Sequence, residues 1–206
     1  MDLKLIDIIE IRKKLYFLNL NDKYFREKYL KYCYIFIKNN EGLINRVYRD
    51  INNNHTIGIG FNMDLPNAKN EWRKVFQNSD LDNNLHNNFE QVKLGKISLT
   101  NNQIQQLFHH SRKTRLNEIV QIYYSYWNKL KCNEQVAIED AYFNSPKLVN
   151  NKTKFYKFIV NYADSRNFYY LKKATEEIEF HSNPSNNRSI QVRRVIESTM
   201  LKTYEI

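Results

Sequence analysis

The sequence predicts an α+β fold, mostly helical, with one small antiparallel sheet. Apolar residues recur at helical spacing over 3–18, over 23–40 and through most of the chain beyond Pro66. Between these stretches, residues 46–61 alternate with the two-residue period of strands around an Asn52-Asn53-Asn54 turn. Three of the four glycines, Gly42, Gly58 and Gly60, fall in that same window. Glycine costs conformational entropy, so sparing use implies positions where only a bare backbone fits.

Composition bounds the partners. A chain of 206 residues can bury one good core, either as one domain or as two small lobes sharing a cleft. Hydrophobic residues at 42% beside charged residues at 26% exclude a disordered chain. The formal charge of +10 suits an anionic partner, either nucleic acid or an anionic polymer such as a bacterial wall. Lys, Asn, Ile and Tyr are also what an A/T-rich coding sequence favours, so charge alone does not choose. Cys33 and Cys132 lie far apart with no metal-ligand spacing, and Cys33 reads as a small buried hydrophobe. No metal or cofactor is expected, and no run reaches membrane-spanning length. Asp7, Glu10, Arg12, Lys13 and Lys14 interrupt the apolar positions near the start, which reads as no secretory signal. The expectation is a protein made in the cytoplasm that acts on its target after release.

The elements follow in order. Residues 1–30 read as a helical N-terminal extension, with Ile6, Ile9, Leu15, Leu18 and Phe17 as its docking surface. In the second helix Phe25, Tyr29, Cys33, Phe36 and Ile37 form one stripe. Glu41 lies four residues beyond Ile37 and continues it, and Gly42 supplies the helix stop. A carboxyl in that position is partly desolvated, which disfavours its charged form and keeps a proton at hand. In the sheet, alternation places Ile57, Ile59 and Phe61 on a core face. Thr56, Gly58, Gly60 and Asn62 then form a low floor with one hydroxyl, where a sugar ring could lie close to backbone. Asp50 stands in the turn, nine residues after Glu41 and six before Thr56. Two carboxylates and a hydroxyl so spaced suit a two-carboxylate hydrolase.

Beyond Pro66, Thr100 and Gln103 form a capping box opening a long helix through Ile104, Leu107, Phe108, Leu116, Ile119, Tyr123 and Trp127. A helix from Asn133 carries Val136, Ala137, Asp140, Ala141 and Asn144 inward. Asp140 and Asn144 either line a cleft behind the acid or satisfy loop backbone. Helices follow over 152–162 and 167–180. The last begins near Asn187, with Val192, Val195, Ile196, Thr199 and Met200 inside.

The string Glu41-Gly42-Leu43, Val47-Tyr48-Arg49-Asp50, Thr56-Ile57-Gly58-Ile59-Gly60 resembles the active-site signature of the phage-type lysozymes, the T-even-phage endolysin group of glycoside hydrolase family 24. The glutamate, aspartate and threonine match that pattern without a gap, and Gly60-Phe61-Asn62-Met63-Asp64-Leu65-Pro66 resembles a variant of its continuation. Many members carry histidine where this chain has Phe61. The clear match covers about 25 residues, with a weaker one over Ala137 to Asn144 and the Arg-rich last helix.

The resemblance implies a lysozyme-like two-lobed fold: a catalytic domain over 31–206, with a sheet lobe over about 41–65 and a helical lobe over about 66–206. It implies hydrolysis of the β-1,4 bond between N-acetylmuramic acid and N-acetylglucosamine in bacterial peptidoglycan, by a monomer. Glu41 would be the general acid, Asp50 would stabilise positive charge and help activate water, and Thr56 would position that water. Gly58, Gly60, Asn62, Asp140 and Asn144 would bind substrate. The family places an arginine of the last helix beside the acid, and Arg188, one turn before Val192, is the expected one over Arg193 and Arg194. The family also favours inversion, for which a gap of about 6.5–9.5 Å between carboxylates leaves room for water. Two other classes compete: a catalytically retired fold serving as a structural or binding protein of a virus, and a basic nucleic-acid-binding protein. The second lacks any groove-reading or stacking motif.

Overall fold

A computed structural model of the chain describes residues 5–18, 23–77, 84–182 and 188–202. Residues 3 and 4 of the expected first helix, and Asn187 at the expected start of the last, lie outside the described residues. The architecture is α+β and mostly helical, with one three-stranded antiparallel sheet of order β1-β2-β3. The chain divides into two compact units. One joins the chain up to Asn40 with everything from Arg115 onward, and the other is Glu41–Thr114. The sheet shares its unit with helices as far as Thr114.

In the first unit, α1 (Leu5–Tyr16) packs against α6 (Cys132–Asn144) and α9 (Arg188–Leu201). Its docking face is Ile8, Ile11 and Leu15, all buried, whereas Ile6 and Phe17 are exposed. The expected surface was therefore turned by part of a helical rotation. α2 (Phe25–Glu41) buries Tyr29, Cys33, Phe36 and Ile37 as its stripe predicts. Tyr29 donates from its hydroxyl to Glu139 Oε1 at 2.6 Å. Both cysteines are free and buried. α7 (Lys154–Ser165) and α8 (Phe168–Glu176) form an antiparallel pair, capped by Thr153 and Asn167, whose side-chain oxygens accept from Tyr156 and Tyr169 N–H. α8 runs on into a π-helical turn, Glu177–His181.

In the second unit, β1 (Ile44–Arg49) pairs with β2 (His55–Gly58), with an irregularity between Ile44 and Tyr48. β2 pairs in turn with β3 (Phe61–Asn62). The strand expected to run straight through 56–62 instead reverses within it. Gly58 and Gly60 both take positive φ, +68° and +71°, so backbone freedom here makes a hairpin rather than a flat floor. Ile57, Ile59, Phe61 and Met63 enter a core with Trp72 and Phe76 of α3 (Ala68–Phe76) and Phe89 of α4 (Phe89–Lys93). Trp72 is its centre. Its ring lies 4.6 Å from Phe76 and 5.7 Å from Phe89, and its indole N–H donates to the Leu85 carbonyl at 2.8 Å. Thr100 and Gln103 cap α5 (Asn101–Tyr123) reciprocally, as expected.

Candidate active site

Glu41, Asp50 and Thr56 all belong to the second unit. Glu41 is the last residue of α2 and is half-buried, with its Oε1 shut off from solvent. Gly42 follows at φ +78°, with no atom within 4 Å of where a Cβ would stand. The left-handed turn therefore demands glycine there, and steric crowding does not.

Asp50 is held by its own hairpin. Its Oδ1 accepts the N–H of Asn52 at 2.8 Å and of Asn54 at 2.9 Å, and Oδ2 accepts Asn54 Nδ2 at 3.1 Å. These donors, with the Asn54 N–H the largest contributor, hold the carboxyl below its ordinary range. Asp50 is thus a fixed anion at neutral pH. Its main-chain N–H donates to the Asn54 carbonyl at 3.0 Å, closing the loop that aims it. Asn53 takes the left-handed conformation that the turn needs, at φ +63°.

Thr56 stands opposite Tyr48 on β1 and Asn62 on β3. It is only 3% exposed, and its hydroxyl lies 3.5 Å from Asp50 Oδ2 and 3.4 Å from the Asn54 carbonyl. Both contacts are long, so the hydroxyl is near the carboxylate without being spent on it. Tyr48, on β1 opposite Thr56, is a partly buried phenol. Burial pushes its pKa upward, and Glu41 and Asp50 each push it further. It therefore remains a neutral O–H at neutral pH.

Gly58, Gly60 and Asn62, expected to bind substrate, lie in the β2–β3 hairpin. A Cβ on Gly58 would meet Ile104 Cγ2 at 3.0 Å, so that glycine admits an apolar helix side chain. Gly60 lies in the β2–β3 turn, and Asn62 Oδ1 accepts the Asp64 N–H at 2.8 Å, an Asx turn. Asp64 beside it is engaged by Lys93 Nζ at 2.7 Å and by His55 Nδ1 at 3.0 Å, which hold it far below the usual carboxylate range. Phe61 is buried against Trp72, their ring centres 6.4 Å apart.

The remaining expected residues lie in the first unit. Asp140 is fully buried; its Oδ1 forms an ion pair with Arg193 Nη2 at 3.1 Å, its main-chain carbonyl accepts that nitrogen at 3.0 Å, and its Oδ2 accepts Asn40 Nδ2 at 3.0 Å. It is a support with no exposed surface. Asn144 is exposed, and its Oδ1 accepts Arg194 Nη2 at 3.0 Å. Arg188 is exposed at the first position of α9, whereas Arg193 and Arg194 are buried and share Glu197. Val192 and Val195 face out instead. Thr199 and Met200 are buried as the stripe predicts, but Arg193, Arg194 and Glu197 take the inner places expected of Val192 and Val195. Arg193 and Arg194 precede Glu197 by four and three residues, helical pairing distance, which was the available signal.

No protein-family model matches the chain, and no curated protein is similar to it. Among the described residues no group of His, Cys, Asp and Glu could hold a metal ion, and no helix is long and apolar enough to cross a membrane.

Proposed function

We propose that the chain is a lysozyme-like glycoside hydrolase with a two-lobed fold, cleaving the β-1,4 bond between N-acetylmuramic acid and N-acetylglucosamine in bacterial peptidoglycan. The observation that carries this reading is the hairpin anion. Asp50 is fixed by three donors, the Thr56 hydroxyl lies beside it, and a neutral Tyr48 feels both Asp50 and Glu41. In this mechanism Glu41 gives its proton to the glycosidic oxygen as the C1–O bond breaks. Asp50 faces the positive charge growing on the sugar, where an anion already locked in place needs no reorganisation. Water near Thr56 attacks C1, and its proton passes to Asp50 and then to solvent. The donors that lower the Asp50 pKa also make it a weak base, so its role is chiefly electrostatic, with proton transfer late.

The burial of Thr56 and the engagement of Asp50 in its own turn favour one competitor, a fold of this kind retained only for binding. A turbidity assay on purified peptidoglycan separates the two, with a DNA gel shift beside it for the nucleic-acid class. Wild-type protein is expected to clear the suspension. Glu41→Gln, which removes the donor and keeps the shape, should slow clearing by about 10²–10⁴-fold with its melting temperature retained. Undiminished clearing by a folded Glu41→Gln protein would remove Glu41 from the mechanism, and absence of clearing by wild type would leave the binding class.

A further inference from the structure

A cavity of about 680 Å³ opens in the first unit, away from Glu41, Asp50 and Thr56 in the chain, and lined by Tyr16, Phe17 and Leu18 after α1, by residues 128–132 and Gln135, and by Arg166. That volume lies in the range of ligand sites. Three of its lining residues are cations, Lys129, Lys131 and Arg166, and none is a carboxylate. Lys129 is paired with Asp164 at 2.8 Å. Arg166 is hydrogen-bonded to Tyr162, and Arg166 and Lys131 both act on the buried Glu134 carboxylate, which lies beyond ion-pair distance of either among the described residues; both cations are exposed. Tyr16 is clamped between Lys131, 5.5 Å from its ring centre, and the edge of Phe17 at 5.1 Å. Phe17 leaves 59% of its surface in water.

Two of the cations stand where local structure argues against them. Arg166 is the residue that ends α7, in the left-handed region at φ +55°, where glycine or asparagine is the unstrained choice. Lys131 is the N-cap of α6 with extended backbone, φ −71° and ψ 156°, where Ser, Thr, Asp or Asn would accept a helix N–H. The other half of a capping box is in place there, because Glu134 Oε2 accepts the Lys131 N–H at 2.7 Å. A cation at a helix N-terminus also opposes the helix dipole. Two local rules are broken by the same residue type at the mouth of the same cavity, a pattern expected of sites kept for binding at the expense of stability.

We infer that this cavity binds an anionic wall polymer of phosphodiester-linked polyols or sugars, with Lys131 and Arg166 meeting phosphate and Phe17 meeting the apolar face of the polymer. Arginine suits phosphate because its fork can bond two oxygens at once. The choice of a wall polymer over other polyanions rests on the proposed hydrolase reading, while the site itself rests on the cavity and its cations.

The test is a double variant built to be as stable as the wild type. Lys131→Ser completes the capping box and Arg166→Gly relieves the left-handed strain, offsetting the loss of the two cations that favour the buried Glu134 carboxylate, so the melting temperature should hold. Binding is measured by sedimentation with isolated Gram-positive walls, native or stripped of phosphate polymers with cold hydrofluoric acid. A control variant, Lys152→Ser with Lys157→Ser, removes two exposed lysines elsewhere in the same unit. The Lys131/Arg166 variant should bind native walls about tenfold more weakly, with no change on stripped walls and little change for the control. Equal affinity of wild type and variant for native walls overturns the proposal. An equal loss in the control also overturns it, since bulk charge then accounts for the binding. A loss confined to a short oligothymidylate assigns the cavity to nucleic acid and removes the wall polymer. Failure of wild type to clear peptidoglycan refutes the hydrolase and leaves this binding difference readable.

Discussion

Glu197→Ala tests whether α9 is held by charge. Glu197 is fully buried, and its two oxygens serve two guanidinium groups: Oε1 accepts Arg193 Nε at 2.9 Å and Oε2 accepts Arg194 Nη1 at 2.5 Å. The arginine side chains are 10% and 3% exposed, so neither can turn out to water cheaply. Without Glu197, Arg193 keeps the Asp140 carboxylate at 3.1 Å and the Asp140 carbonyl at 3.0 Å. Arg194 keeps only the neutral amide oxygen of Asn144 at 3.0 Å, and its Nε–H has no acceptor among the described residues. One buried charge is thus stranded, and breaking such a cluster costs about 3–5 kcal/mol. For a chain of this size that corresponds to a fall in melting temperature of roughly 6–20 °C, read by thermal circular dichroism. Replacing both partners, Arg194→Met with Glu197→Met, removes the stranded charge and should recover most of the loss. A Glu197→Ala protein destabilised by less than about 1 kcal/mol would show that the cluster is solvated, and the account of α9 given above would fall.

Gly58→Ala should destabilise by about 1–3 kcal/mol in urea titrations, since a Cβ meets Ile104 Cγ2 at 3.0 Å on a backbone at φ +68°; a neutral effect would mean that the hairpin can shift. Asp64 has a folded pKa depressed by Lys93 and His55, so its stabilisation is present above its unfolded value of about 3.9 and is lost as pH falls below it. The melting temperature of wild type should therefore drop more steeply below about pH 4 than that of Asp64→Asn, and parallel curves would remove Asp64 as a cause. Leu15→Ala, at a fully buried position of α1, should cost about 2–5 kcal/mol by thermal melting. A loss under about 0.5 kcal/mol would make α1 a dispensable tail.

Much of the fold was legible because its helices are periodic. The stripe from Tyr29 to Ile37, the Thr100–Gln103 cap and the Asn-rich turn all appear where spacing and side-chain chemistry place them. The sheet was legible in position but not in path. A run of alternating residues looks the same whether it continues or folds back on Gly58 and Gly60, and only their positive φ decides. Glu41, Asp50 and Thr56 stand out through their intervals, whereas Asn54 and Tyr48 do not. The role of Asn54 comes from a hydrogen bond four residues back along the chain, and that of Tyr48 from proximity across the start of β1. The inner face of α9 was misread at Val192 and Val195 because arginine is ordinarily a surface residue. Its burial depends on Glu197 and on Asp140, the latter some 50 residues away, so only the assembled helices could reveal it.

The first unit is assembled from both ends of the chain, and this governs how it is made. Arg12 of α1 donates to the Thr199 carbonyl of α9 at 2.9 Å, across 187 residues of sequence. At ribosomal rates of about 5–20 residues per second, α1 waits roughly 10–40 s for that partner to be synthesised. Until α6 and then α9 are made, Ile8, Ile11 and Leu15 lack the surfaces that finally cover them, a natural target for holding chaperones. Residues 41–114 are contiguous and can condense as soon as they leave the exit tunnel. The carboxylate-bearing hairpin is thus shaped early in synthesis, while the helical unit closes only near its end. A stalled or truncated product would carry Glu41, Asp50 and Thr56 without the finished unit that surrounds the chain's two ends.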